Sequence, residues 1–206
     1  MSNQCLFNFL YKRLMSKLRM YGVQGILHTW IDAFLSGHKQ RVIVEGSSSE
    51  EAPVTSGVPQ GTVLGPLLFL LFINDLPSVL DPGSKCRIFA DDCLIYKQIT
   101  TFNDQVQLQS DLTALEKWSE VWGMQFNAKK CNIMTIAQST PLVYFYQLDH
   151  TILDNVDSCT YLGIKISSML KWGDNVNTIA KKANSRLGFL RRNLRGCPRK
   201  RQPMFP

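Results

Sequence analysis

Hydrophobic residues recur every three or four positions in three long stretches of the chain, which is the spacing of one face of an α-helix. These stretches predict helices over residues 6–21, 104–122 and 174–194. A segment that stops before a glycine predicts a helix over residues 24–35, and a nearly continuous apolar run predicts one over residues 65–75. Because this last helix is apolar on almost all sides, we expect it to be buried.

Shorter stretches rich in β-branched and aromatic residues predict strands, and clusters of Gly, Ser, Pro and Asp mark the turns between them. The predicted strands cover residues 40–45, 53–56, 87–90, 93–96, 130–136, 142–147, 151–153 and 161–166. Two pairs of neighbouring runs predict β-hairpins, one within residues 87–96 and one within residues 142–153.

Two adjacent carboxylates, Asp91 and Asp92, lie between the first pair of apolar runs, at the tip of the predicted hairpin or just inside it. One interpretation is ordinary turn chemistry. However, tight hairpin turns favour Asn-Gly or Asp-Gly, because both central residues need positive φ. The other interpretation is a metal site. Adjacent carboxylates near apolar neighbours need a cation, and a hard divalent ion prefers oxygen ligands.

A glycine-containing loop over residues 56–62 leads into the predicted apolar helix. Gly57 and Gly61 allow a ligand to approach the backbone closely, Pro59 stiffens the turn, and Gln60 offers both a donor and an acceptor. Outward-pointing N–H groups at the start of the helix would suit a phosphate. Loops of this composition are also common without any ligand, so a purely structural interpretation stays open.

The charge of the chain is concentrated near its C-terminus. Of the 206 residues, 45% are hydrophobic, which is enough for a core, and the net charge is +7. From Thr151 onward there are eleven Lys or Arg residues against three acidic ones. This asymmetry suggests a polyanionic partner, although many proteins are as basic without binding nucleic acid.

Cysteine, histidine and hydropathy patterns exclude several other classes of protein. The six cysteines are scattered and lack zinc-site spacing, so they are interpreted as thiols in a reducing compartment, and the three isolated histidines are assigned no chemistry. Lys12 and Arg13 interrupt any signal-peptide core, and the longest apolar run, residues 63–73, is about half a bilayer span. We expect an intracellular protein of the nucleus or cytoplasm, neither secreted nor in a membrane.

Four motifs follow one another along the chain: SGVPQGTVLGPLLFLLFINDLP at residues 56–77, FADD at 89–92, WGMQFNAKKCNIM at 122–134 and YLGIKI at 161–166. Together they resemble the reverse transcriptase domain of non-LTR retrotransposons of the jockey or LINE-like kind. The resemblance implies an α+β fold, the right-hand polymerase palm, in which helices back an antiparallel sheet. Residues 1–168 would form partial fingers and the palm, and residues 169–206 the start of a basic helical thumb.

The resemblance also implies an activity and its cofactor. The activity would be RNA-directed DNA synthesis from an RNA template, a DNA primer and deoxynucleoside triphosphates. Asp91 and Asp92 match the catalytic aspartates that hold two Mg²⁺ ions, for which Mn²⁺ can substitute, and Asp91 would be the more direct ligand.

Other positions match elements that contact nucleotide or nucleic acid. Pro59, Gln60 and Gly61 match the loop that positions template and incoming nucleotide, and Lys130 matches a basic position facing the triphosphate. Arg41 matches a fingers strand near the template, where an ordinary solvated arginine is an equal alternative. The primer grip and thumb would contribute the remaining contacts, from Tyr161, Leu162, Gly163, Lys181, Lys182, Arg191 and Arg192.

One element of the family pattern is not matched. Reverse transcriptases of this class carry a further metal-binding aspartate in a motif like Asp-x-x-x-Ala-Phe-Asp before the first helix, and neither Asp32 nor Asp75 is placed to replace it. We therefore expect the chain alone to polymerise poorly. Two alternatives remain: a catalytically dead remnant that still grips RNA/DNA duplex through its basic C-terminal helix, and a purely structural protein built on a decayed palm.

Overall fold

A computed structural model describes residues 11–54, 57–59, 61–137 and 144–195 of the chain. These residues form five α-helices: α1 (Tyr11–Met20), α2 (Gly25–Leu35), α3 (Leu64–Ile73), α4 (Phe102–Trp122) and α5 (Gly173–Asn193). Two short 3-10 segments, Leu76–Val79 and Ala128–Lys130, follow α3 and α4. All five predicted helices are therefore confirmed over their described parts.

The strands are short and pair in twos. They are β1 (Lys39–Gln40), β2 (Ile43–Val44), β3 (Ser47–Ser48), β4 (Ala52–Pro53), β5 (Lys85–Phe89), β6 (Asp92–Tyr96), β7 (Asn132–Ile133), β8 (Gln147–Leu148), β9 (Thr151–Ile152), β10 (Asp154–Asn155), β11 (Ser158–Tyr161) and β12 (Ile164–Ser167). Pairs β1–β4, β2–β3, β5–β6, β8–β9 and β11–β12 are antiparallel. A mixed helix-and-strand fold is confirmed. Within the described ranges, however, the strands form two-stranded sheets and not one continuous sheet.

The chain divides into two compact units. The first comprises residues 1–131 with 143–154, and it carries α1 to α4 and the hairpin of β5 and β6. The second comprises residues 132–142 with 155–206, and it carries the hairpin of β11 and β12 together with α5.

Helices α1, α3 and α4 supply most of the core of the first unit. Leu14 and Leu18 of α1, Phe72 of α3, and Leu115 and Trp118 of α4 are all buried. Because these positions recur every three or four residues along α1 and α4, each helix turns one apolar side inward. The prediction of these two amphipathic faces is confirmed.

A lysine lies inside this core. The ammonium of Lys17, on α1, donates hydrogen bonds at 2.5 Å to the Phe72 carbonyl and to the carboxylate of Asp75. It also lies 4.0–4.6 Å from the ring centroids of Phe72, Trp118 and Trp122. Burial lowers the pKa of Lys17, and the hydrogen bond and charge of Asp75 oppose that shift. An ion pair enclosed by aromatic rings thus joins α1, α3 and α4.

The prediction that α3 is buried on all sides is wrong. Leu68 and Phe72 face the core, whereas residues Leu67 and Leu70 are 53% and 50% exposed. The helix contacts α1 and the aromatic side chains of α4, while Leu67 and Leu70 remain exposed, so its apolar composition does not translate into complete burial.

Three predicted strands also differ from the structure. The strand over residues 40–45 is divided between β1 and β2. Lys130 ends a 3-10 segment, and within the predicted strand over residues 130–136 the observed strand is Asn132–Ile133. Residues 161–166 form a turn and part of two strands. Leu162 and Gly163 have φ of +48° and +81°, which reverses the chain between β11 and β12.

Two further predicted strands fall partly on positions outside the described residues. In the strand over residues 53–56, positions 55 and 56 lie outside, and in the strand over residues 142–147 so do positions 142 and 143. The hairpin predicted within residues 142–153 is confirmed over its described part by the pairing of β8 with β9.

Helix α5 has an apolar side that is not buried. Its apolar side is formed by Val176, Ile179, Ala183, Leu187 and Leu190, and none of the α5 residues is buried. The helix is tied to the hairpin of its own unit by Asn175, whose side-chain oxygen accepts a hydrogen bond from the Lys165 amide at 3.1 Å.

In the described ranges, no helix combines the length and apolar character required to cross a bilayer.

Helix α4 is closed at both ends by side-chain and backbone caps. Thr101 and Asp104 form a capping box, in which each side chain accepts a hydrogen bond from the backbone N–H of the other residue. Hydrogen bonds from the backbone and hydroxyl groups of Thr100 and Thr101 hold the pKa of Asp104 well below its usual range. The helix ends at Gly123, whose φ is +64°.

Removing this cap gives a first testable result. Thr101→Ala is expected to lower the free energy of unfolding by about 1 kcal/mol at neutral pH, because an N-terminal amide of α4 loses its acceptor. Because the pKa of Asp104 is depressed in the folded state, its contribution should be complete above the ordinary carboxyl pKa of about 4 and start to be lost as the pH falls from there towards the depressed folded pKa. Urea titrations of the wild type and of Asp104→Asn between pH 7 and pH 3 would measure that loss.

The matched control is Thr178→Ala, which removes a hydroxyl inside α5 that donates to the carbonyl of Asp174 at 2.7 Å. A hydrogen bond of this kind adds little to a helix, so we expect stability within about 0.5 kcal/mol of the wild type. If both threonine variants lost the same stability, the capping interpretation would be wrong.

Candidate active site

The two predicted carboxylates lie at the turn between β5 and β6. Phe89 pairs with Asp92 in the antiparallel register, so Ala90 and Asp91 form a two-residue turn and Asp92 is the first residue of β6. Ala90 has a φ of +49°, an uncommon conformation for a residue with a side chain. The prediction that the pair lies at the hairpin tip or just inside it is confirmed, and Ala90 supplies the positive φ.

Alternation along the strands decides what surrounds Asp92. Asp92 lies on the same face of the hairpin as its partner Phe89 and the next cross-strand pair, Arg87 and Leu94. Those three side chains are exposed, while Asp91 and Asp92 are themselves half-buried. Asp92, with Asp91 directly before it in the turn, therefore lies beside an open surface that a large ligand can reach.

The other end of the hairpin is anchored to α4 through a polar network. Ser84, just before β5, donates to the buried carboxylate of Asp111 in α4, which also accepts the Asp81 amide at 2.9 Å. Lys97, just after β6, contacts the Asp81 carboxylate at 2.9 Å and donates to the Ser84 hydroxyl at 3.4 Å. The hydrogen bond from the Lys97 ammonium lowers the pKa of Asp81. These contacts fix both strands at the end of the hairpin that is far from the turn.

Sequence reasoning missed this network and the Lys17–Asp75 pair. One signal for the network was available. Asp111 shares the three-and-four spacing of Leu108 and Leu115, so a carboxylate interrupts an otherwise apolar face of α4. A charged residue at such a position is expected to have a buried partner.

The loop before α3 is described in part. Pro59 is half-buried and Gly61 is exposed with a φ of +79°, whereas Gln60 lies outside the described residues. The Thr62 hydroxyl donates to the Pro59 carbonyl at 2.8 Å and accepts from the Gly65 amide at 3.0 Å. The loop is therefore held in a defined turn against the start of the helix.

The other predicted site residues are distributed over both units. Arg41 lies between β1 and β2, and Lys130 ends the 3-10 segment after α4; both are exposed. Among the described residues, no ion pair joins Arg41 to either aspartate. In the second unit, Tyr161 ends β11 and is followed by Leu162 and Gly163 in the turn.

The basic residues predicted for the thumb all lie on α5 and are exposed. They are Lys181, Lys182, Arg191 and Arg192. Since the helix has no buried residue, these four cations are accessible to a polyanion that approaches the second unit.

Asp91 and Asp92 are the two carboxylates that the hairpin turn offers to a metal ion. Within the part of the chain that the structure describes, no group of three or more His, Cys, Asp or Glu side chains could hold a metal. Mg²⁺ is commonly held by one or two carboxylates together with substrate phosphates. The donor set of Asp91 and Asp92 fits that mode of binding.

A cavity of about 530 Å³ lies elsewhere in the first unit, lined by residues that include Arg13, Glu120, Met124 and His150. None of the described site residues lines it. Its walls carry charges of both signs, which does not suit a polyanionic substrate. The open surface beside the hairpin therefore remains the candidate site.

Comparison with known proteins identifies a family. A family model described as "Reverse transcriptase (RNA-dependent DNA polymerase)" matches residues 4–166. The chain is 29% identical over 160 residues to the RNA-directed DNA polymerase from mobile element jockey of Drosophila melanogaster, covering 74% of this chain and 18% of that protein.

Two further relatives come from the same organism. The probable RNA-directed DNA polymerase from transposon BS is 29% identical over 170 residues, covering 78% of this chain and 19% of that protein. The putative 115 kDa protein in type-1 retrotransposable element R1DM is 29% identical over 184 residues, covering 84% of this chain and 17% of that protein. The chain thus spans less than a fifth of the length of these relatives.

Proposed function

The chain belongs to the reverse transcriptase family, and from that premise we propose that it is part of an RNA-directed DNA polymerase of a non-LTR retrotransposon. The observation that carries the proposal is the turn of β5 and β6, where Asp91 and Asp92 occupy adjacent positions and Asp92 lies beside an open surface. In this proposal, residues 1–168 correspond to partial fingers and palm, and residues 169–206 to the start of the thumb.

We propose that Asp91 and Asp92 hold divalent metal, Mg²⁺ or Mn²⁺. Bound metal would activate the primer hydroxyl and neutralise charge on the phosphates. The chain's own contribution is position. The Asp111 network fixes the base of the hairpin, and the turn at the other end places Asp91 and Asp92 at its tip.

The loop before α3 would position the template and the incoming nucleotide. Its support is the pair of Thr62 hydrogen bonds, which stiffen the turn, together with the open space around Gly61, where an added Cβ would meet nothing within 4 Å. Gln60 keeps the role that the family resemblance implies. Exposed Arg41 and Lys130 would add positive charge for template phosphate and triphosphate.

The second unit would hold the primer–template duplex. Tyr161, Leu162 and Gly163 lie at a hairpin turn, a suitable shape for a primer grip. The cations of α5 would contact the phosphate backbone, which gives affinity without sequence preference. An RNA/DNA hybrid would then be recognised mainly by its shape.

Primer extension on an RNA template tests the proposal. We expect any incorporation of deoxynucleotides with Mg²⁺ or Mn²⁺ to disappear in Asp91→Ala, while binding of the hybrid stays unchanged. Extension that persists in Asp91→Ala would contradict the assignment.

A second candidate function is a nucleic-acid-binding remnant without catalysis, and the exposed cations of α5 favour it. Under this alternative, the wild type binds hybrid with strong salt dependence but extends no primer in either metal. If the protein were purely structural, neither hybrid binding nor extension would be found.

Charge reversal on α5 separates binding from folding. Arg191→Glu with Arg192→Glu should weaken hybrid binding and lower the slope of log affinity against log salt by about 2, since each lost phosphate contact accounts for roughly 0.9. Fluorescence anisotropy at several salt concentrations measures the slope.

The matched control is Lys12→Glu with Arg19→Glu, which makes the same charge change on exposed positions of α1. It should leave the slope nearly unchanged. Equal losses in the two double variants would indicate a general charge effect and count against a duplex-binding role for α5.

A further inference from the structure

Two cysteine side chains face each other across the hairpin that carries the aspartates. Cys86 on β5 pairs with Ile95, and Cys93 on β6 pairs with Ile88, so the cysteines are diagonal neighbours on one face. Their sulfur atoms lie 3.6 Å apart. This face is opposite to the one that carries Asp92.

Both thiols have the surroundings needed for exchange chemistry. Cys93 is exposed, and Cys86 is half-buried. The hydrogen bond with Cys93 lowers the pKa of the Cys86 thiol, burial opposes that shift, and the charge of Arg87 adds to it. A lowered pKa favours attack by Cys86, because the thiolate is the nucleophile in such reactions.

We propose that Cys86 and Cys93 form a dithiol site that a low-molecular-weight disulfide converts into a reversible cross-strand disulfide. The Cys86 thiolate attacks one sulfur of oxidised glutathione, forming a mixed disulfide and releasing one glutathione thiolate. The Cys93 thiolate then attacks the Cys86 sulfur and releases the second. In total, two cysteine thiols and one glutathione disulfide give one protein disulfide and two glutathione thiols.

The geometry makes this bond labile. Closing it requires the sulfurs to move from 3.6 Å to about 2.05 Å. Diagonal positions in a hairpin have Cα atoms roughly 7–8 Å apart, beyond the range of an unstrained disulfide, so the strands must shift. Strained, accessible disulfides are readily reduced.

The shift would reach the aspartates, since Cys93 follows Asp92 directly in β6. Anchoring at the base of the hairpin by Asp111 leaves the turn as the end that moves. Oxidation of the pair would thus alter the Asp91–Asp92 turn. The thiol chemistry itself does not depend on the proposed polymerase function.

The experiment treats the full chain with excess oxidised glutathione and maps the peptides by mass spectrometry. We expect a Cys86–Cys93 linked product in the folded chain, formed at least about tenfold faster than in urea, because folding holds the thiols together. Cys93→Ser should stop at a mixed disulfide on Cys86, and the matched control Cys131→Ser should form the link normally.

Two results would overturn the proposal. One is stable glutathione adducts on both cysteines with no link between them. The other is formation of the Cys86–Cys93 link at the same rate in urea. The closeness of the two cysteines along the chain would then be enough to explain the link without the folded hairpin. Hydrogen exchange tests whether oxidation of the cysteines alters the turn. The amides of residues 90–92 should exchange at a different rate after oxidation, and the original rate should return after reduction with dithiothreitol. Unchanged exchange rates would contradict this coupling.

Discussion

Asp75→Ala is expected to lower the free energy of unfolding by about 3–5 kcal/mol, because it leaves the Lys17 ammonium buried without its counter-ion. The Lys17 side chain is 2% exposed, and its nitrogen lies 2.5 Å from the carboxylate of Asp75. The same carboxylate accepts the Trp118 indole N–H at 3.2 Å. Chemical unfolding followed by tryptophan fluorescence measures the loss.

Two comparisons make this prediction specific. Asp174→Ala breaks an exposed pair with Lys165 at 3.9 Å and should cost at most about 1 kcal/mol. The double variant Lys17→Met with Asp75→Asn removes both charges and keeps an acceptor for Trp118, so it should recover much of the stability. If the double variant were less stable than Asp75→Ala, the unpaired charge would not be the cause.

Phe72→Ala should be comparably damaging, with a loss of about 3–5 kcal/mol from the cavity and the lost contacts. Phe72 is fully buried in α3, and its ring meets Trp118 and Trp122 edge-on at centroid distances of 6.4 Å and 6.2 Å. It also forms one wall of the aromatic enclosure around Lys17. Removing it therefore weakens both apolar packing and the support of the ion pair.

Phe145→Ala is the matched control, since that residue is 72% exposed. We expect a change within about 0.5 kcal/mol. Similar losses in the two phenylalanine variants, measured by urea titration, would contradict the position of the core between α1, α3 and α4.

Periodicity predicts the helices well because helix formation leaves a local signal. The stripe of Leu112, Leu115 and Trp118 and the stop at Gly123 both follow from neighbouring residues, and the structure has both. The turn that carries the two aspartates is equally local, since its signal is two apolar runs with two carboxylates between them.

The features that sequence reasoning missed depend on contacts between distant residues. Nothing near Asp75 indicates that Lys17, 58 positions away, is its partner, and Asp111 meets Ser84 across 27 positions. The exposed side of α3 is equally non-local, because burial depends on which elements pack against it. The β11–β12 turn, by contrast, had a local signal in Gly163. The alternation pattern nevertheless assigned residues 161–166 to a single strand.

Manganese binding tests the central claim most directly. Electron paramagnetic resonance of Mn²⁺, titrated into the chain with a deoxynucleoside triphosphate, should report a bound ion that Asp91→Asn with Asp92→Asn weakens by at least about tenfold, or about 1.4 kcal/mol. The control Asp32→Asn with Asp154→Asn removes the same charge from exposed positions and should bind as the wild type does. Equal Mn²⁺ affinity in the two double variants would contradict the assignment of the hairpin turn as the metal site.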